Sequence, residues 1–235
     1  MGTSLRLVAL AGLGLLAACG VRPVDDPLAV HSVYGGLEPM PVFRGELPAV
    51  LFSAVDTPDK QGLLYTAMVE AEVAAQYAGR ALAAEDPTLM RSALGEVLFA
   101  IDPAAAPAWE AKTSGIVRGW AGTGYGLRRA ATGMAGEIRA AAAEDDASAA
   151  LAEYGPPAAR CADNALERAD QLVLLSREAL DGAAIQSQPL LRQIQELADR
   201  LSHGAGGPVE VAAGDLECGL QQALRYLDRL APRRG

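Results

Sequence analysis

From Asp59 to Leu230 the chain places apolar residues every three or four positions, and six such stripes can be followed. The first carries Leu64, Ala67, Met68, Ala71, Ala75, Ala78 and Leu82, and is closed by Asp86-Pro87. The second opens with Pro87 in its first turn, carries Leu89, Leu94, Val97, Leu98 and Ile101, and stops at Asp102-Pro103. The third runs through Leu127, Ala130, Ala131, Met134, Ile138 and Ala141. A fourth, from about Pro157 to Ala184, sets Ala162, Ala165, Leu166, Ala169, Leu172, Val173 and Leu180 on one face. The fifth begins near Pro189 and shows Leu190, Ile194, Leu197 and Leu201; the sixth, opened by Asp215, carries Leu216, Leu220, Ala223, Leu224, Leu227 and Leu230. With no convincing strand between them, these stripes predict an all-α, multi-helix bundle of about six helices over residues 59–231. The alanines in the facing stripes imply close helix approach.

The stretch before the bundle has a different character. Pro23, Pro27, Pro39, Pro41, Pro48 and Pro58 are mixed with Gly35, Gly36 and Gly45, a density that forbids long helix. Residues 19–58 are therefore expected to form a Pro-rich, semi-extended tether. Its later part, Phe43 to Val55, holds enough apolar side chains to dock on the bundle as a strap.

Further toward the start, Arg6 is followed by an uncharged, apolar run from Leu7 to Ala18. That layout is an export signal, too short to span a bilayer as a helix. Ordinary signal cleavage needs small side chains one and three positions before the cut, and Leu16 is bulky at the second of these. The four residues Leu16-Ala17-Ala18-Cys19 resemble the lipobox of bacterial lipoproteins. The resemblance implies removal of residues 1–18, a diacylglyceryl group on the Cys19 sulfur, and an acyl chain such as palmitate on the new amino group. Two or more chains anchor stably where one holds only marginally. Gly20, in place of an aspartate, implies outer-membrane sorting with the domain facing the periplasm of a Gram-negative envelope.

Net charge is -9 and becomes more negative once Arg6 is lost. An acidic body lacks the basic footprint that phosphate backbones require, so nucleic acid is not an expected partner. With Cys19 given to lipid by the lipobox resemblance, Cys161 and Cys218 remain, and in an oxidising compartment an even pair reads as a disulfide. One observation opposes it: on a helix opened by Asp215, Cys218 falls on the polar side with Gln221, Gln222 and Arg225. In its favour, the fourth and sixth helices should begin at one pole, which would put both cysteines near a helix start.

The usual catalytic hardware is missing. His31 and His203 are the two histidines, in no Cys-x-x-Cys-His or paired Glu-x-x-His setting, so no haem, di-iron or zinc cofactor is expected. No Gly-x-Ser-x-Gly elbow, Ser-x-x-Lys or phosphate loop occurs. Glu70 with Glu72, and Asp145 with Asp146, are expected to be solvated acids.

One stretch has a composition suited to ligands. Between Trp109 and Arg129 lies GWAGTGYGLRR, in which Gly122, Gly124 and Gly126 lead into a helix starting with Arg128 and Arg129, with Trp120 and Tyr125 close by. Amides at a helix start and two guanidiniums suit an anion, and aromatic faces suit a ring or sugar. The competing reading makes the glycines a connection, the tryptophans plugs and the arginines partners of local acids. The order Ile101-Asp102-Pro103, then Gly122 to Arg129, then Gly219-Leu-Gln-Gln-Ala, is loosely similar to secreted bacterial helical proteins of unassigned function; no functional residue is carried over from it. The expectation is a lipid-anchored, non-catalytic helical envelope protein acting on another envelope component, the alternative a small-ligand or anion receptor using the Trp109 to Arg129 loop.

Overall fold

A computed structural model describes residues 47–106, 122–181, 187–205 and 217–230. The lipobox, most of the tether, Trp109 and Trp120 lie outside the described residues. Among those described there are seven α-helices and two short 3-10 turns, with no strand. They are α1 (Pro48–Leu51), α2 (Leu63–Ala83), α3 (Pro87–Ile101), α4 (Leu127–Ala142), α5 (Ala149–Leu180), α6 (Gln188–His203) and α7 (Leu220–Asp228). The all-α bundle expected from the stripes is the fold observed.

The helix starts follow local chemistry. α3 opens on Pro87, with the Asp86 carboxylate accepting from Thr88 N at 2.6 Å. α6 has proline in its first turn, and α5 is capped by Ser148 Oγ, which accepts from Leu151 N at 3.0 Å. This last cap corrects the expectation that the fourth helix starts at Pro157. Pro156 and Pro157 are interior to α5 and withdraw two consecutive backbone donors. The helix continues through them because Leu151, only 1% exposed, and Gly155 are already packed against the end of α4. At 32 residues, α5 is about 48 Å long.

α2 and α5 carry the centre. α2 packs on α1, α3, α4, α6 and α7, while α5 packs on α3, α4, α6 and α7. On α2, Ala67, Ala71, Ala74, Ala78 and Ala81 are fully buried, and on α5 so are Ala158, Ala162, Ala165 and Ala169. These rows of methyl groups let neighbouring backbones approach closely. Larger side chains fill the layers between them: Leu94, Leu98, Ile101, Leu127, Met134, Ile138, Leu172, Leu191, Ile194 and Leu201 are all buried. α4 and α5 run antiparallel, since Arg128 pairs with Asp170 at 3.0 Å and Arg139, farther along α4, pairs with the earlier Asp163.

Two expectations about the core need correction. Leu89 is 60% exposed because α3 turns Met90, Ala93 and Leu94 inward instead. Of the strap, Leu47, Val50 and Ala54 are buried, but Phe52 and Val55 face outward and Phe43 lies outside the described residues.

Cys161 and Cys218 are bonded, with Cα atoms 5.1 Å apart and both side chains buried. The opposing face argument fails because α7 starts at Leu220; Cys218 precedes the helix and turns inward. The favouring argument was also inaccurate. Cys161 sits well inside α5, and the two meet because the 217–219 segment crosses that helix at mid-length.

Candidate functional site

The loop 122–126 and the first turn of α4 bring together Gly122, Gly124, Tyr125, Gly126, Arg128 and Arg129 from the candidate set. What holds them is an acid that the sequence reading placed in solvent. Glu70 on α2 is fully buried, while Glu72 is exposed. Its Oε1 accepts from Thr123 N at 3.0 Å, Thr123 Oγ at 2.5 Å and Gly126 N at 3.4 Å. Burial raises the Glu70 carboxyl above its usual range, opposed by the Thr123 hydroxyl and the two amides.

The glycines serve this arrangement. A Cβ on Gly122 would come within 2.5 Å of Glu70 Oε2. Gly126 has φ 85° and a Cβ there would meet Pro103 Cδ at 2.6 Å, so the position excludes side chains twice over. The amides ahead of α4, which the alternative reading offered to an external anion, are thus engaged by the carboxyl group of Glu70.

The arginines are engaged as well. Arg128 bridges Asp102 at 3.1 Å and Asp170 at 3.0 Å, joining the end of α3 to α5. Arg129 pairs with Asp56 at 2.9 Å and lies over the Tyr125 ring, 4.4 Å from its centroid. Tyr125 is mostly buried and donates from its hydroxyl to the same Asp56 oxygen at 2.9 Å. This hydrogen bond foremost, with help from Arg129, holds the Asp56 carboxyl below its ordinary range. Burial, then the bond to Asp56, pushes the Tyr125 hydroxyl up. The turn carrying Asp56 is itself constrained: Asp59 and Lys60 both have φ of 54°, and Thr57 Oγ donates to the carbonyls of Ala54 and Gln61.

At the disulfide, a second polar cluster pins the C-terminal helix. Arg168 donates to the carbonyls of Cys218 at 2.8 Å, Glu217 at 3.0 Å and Arg200 at 3.3 Å. Gly204 and Gly219 face each other so closely that a Cβ on the first would stand 2.3 Å from Glu217 O and one on the second 2.5 Å from Gly204 N. Gln222 closes the joint, accepting from Gly219 N at 2.9 Å and donating to His203 O at 2.6 Å.

Glu70 had a readable signal. It stands three residues after Ala67 and four before Ala74, within the apolar stripe. Arg168 and the paired glycines had none, because their partners are backbone groups brought in from distant segments.

A cleft of about 340 Å³ lies beside the α4 terminus, lined by Arg139, Ala142, Ala143, Pro156, Arg160 and Asp163. Among the described residues no group of three His, Cys, Asp or Glu side chains is placed to hold a metal, and no helix is long and apolar enough to cross a membrane. No family model, curated protein or solved structure matches the chain.

Proposed function

We propose that this chain is a bacterial lipoprotein: a helical domain tethered to the cell envelope, at the outer membrane facing the periplasm, through lipid on Cys19, without catalytic activity, that works by contact with another envelope component. The observation that carries the reading is Leu16-Ala17-Ala18-Cys19 behind an apolar run with a single preceding arginine. A buried disulfide suits an oxidising compartment. The geometry around the candidate loop favours contact over small-molecule capture. Arg128, Arg129 and the amides of Thr123 and Gly126 are each committed to a carboxylate of the same chain, so an external anion would have to displace Asp102, Asp170, Asp56 or Glu70. Cross-linking in intact cells, with the chain captured from the membrane fraction, tests the proposal. Recovery of one envelope protein with the native chain, and its loss with Cys19→Ser, is expected. Turnover of a metabolite by the purified chain, with no specific partner captured, would overturn it.

A further inference from the structure

Glu70 is the one acidic or basic side chain in the buried set among the described residues. Its hydrogen bonds are one-sided. Three donors converge on Oε1, while Oε2 is buried with no hydrogen-bond partner and rests against Gly122. A carboxylate spreads its charge over both oxygens, and leaving half of that charge dry and unpaired is costly. A neutral carboxyl removes that cost, keeping its carbonyl at Oε1, where the donors are.

No charged neighbour offsets the burial. The titratable groups to either side in α2 are Tyr65 and Glu72, and the helices packed on α2 add Glu96 and Asp102 at α3, Glu196 and Asp199 on α6, and Arg225 and Asp228 on α7; none of them is among the groups acting on the Glu70 carboxyl. From the loop, α4 and the turn before α2 come Tyr125, Arg128, Arg129 and Asp56, which are engaged with one another or with Asp102 and Asp170. Among the described residues, the groups that act on the Glu70 carboxyl are Thr123 and Gly126 alone.

We propose that Glu70 is a proton-operated clasp: neutral while the 122–126 loop is seated on it, and ionised when the loop lifts and water reaches the carboxyl. The seated state binds the proton more tightly than the lifted one, so seating takes up a proton. Falling pH closes the clasp, and rising pH above the ordinary carboxyl value of 4.5 loosens it. Because the loop carries Tyr125 and leads into Arg129, lifting it also separates both from Asp56 and reshapes that surface. The inference goes beyond the envelope reading and does not depend on it.

The test uses the full disulfide-bonded chain. Carbon-13 titration of its glutamate carboxyls, with Glu70 assigned through Glu70→Gln, is expected to show Glu70 titrating above the surface glutamates. Hydrogen exchange of a peptide covering 122–127, corrected for the intrinsic pH dependence of exchange, should lose protection as pH rises through that same range. The loss should approach tenfold per pH unit, the limit for a single coupled proton. In Glu70→Gln, which stays neutral, protection should be flat. If that variant does not fold, comparison of 122–127 with 191–198 of α6 in the native chain decides. Protection of the loop that ignores pH, or a Glu70 that titrates with the surface glutamates, overturns the clasp.

Discussion

Glu70 on α2 and Thr123 ahead of α4, 53 positions apart, are joined twice, through the amide and the hydroxyl of Thr123 on a single carboxylate oxygen. Replacing Thr123, itself exposed, by Val removes the hydroxyl donor from the buried Glu70 carboxyl and is expected to cost about 1–2 kcal/mol. Urea melts should show a lower midpoint with an unchanged slope. The Glu70 carboxyl should move farther up, because the bond that favours its charged form is gone.

The cross-link between Cys161 and Cys218 closes a separation of 57 residues. Changing both to Ala is expected to lower unfolding free energy by about 4 kcal/mol in the chain-entropy view. Both sulfurs are buried, so mild reductant should leave the native chain oxidised, and reduction should follow unfolding. Thiol titration along a denaturant series checks this.

Two glycine substitutions should move in opposite directions. Gly136→Ala in α4 meets nothing within 4 Å and should stabilise the helix by about 0.5–1 kcal/mol. Gly204→Ala must fit a methyl group 2.3 Å from Glu217 O at a φ of 70°, and should destabilise by more than that gain. Thermal melts of the pair read both signs in one experiment.

Asp56 and Glu70 should respond to acid oppositely. The Asp56 carboxyl is held below its ordinary 3.8, so its contribution is present above that value and is lost as pH falls through the lowered one. Asp56→Asn should therefore flatten the acid side of the stability profile. Glu70 is shifted up, and its ionisation erodes stability as pH rises through the window above 4.5. Stability profiles of Asp56→Asn and Glu70→Gln against the native chain separate the two.

The helices were legible because apolar spacing and proline placement agree at α3 and α6, where proline stands in the first turn. They disagreed at α5. Pro156-Pro157 reads locally as a helix start, yet packing against Ile138 and Ala142 carries the helix back to the Ser148 cap. The glycines and arginines of the loop stand out in the sequence as candidates for ligand binding. What the sequence left open was their partners, since Asp56, Glu70, Asp102 and Asp170 come from four other parts of the chain and only the fold assembles them. The amides at the start of α4 that could have taken an external anion are occupied by the chain's own Glu70 carboxyl.

The proposal to be tested first is that the domain is held to the envelope by lipid on Cys19. Mass spectrometry of the membrane fraction from the native host measures it directly. The expected product is an N-terminal peptide that starts at Cys19, carries the mass of a diacylglyceryl group and an amide-linked acyl chain, and lacks residues 1–18. A soluble chain that begins at another residue, or one that retains residues 1–18 with an unmodified Cys19, would contradict the account.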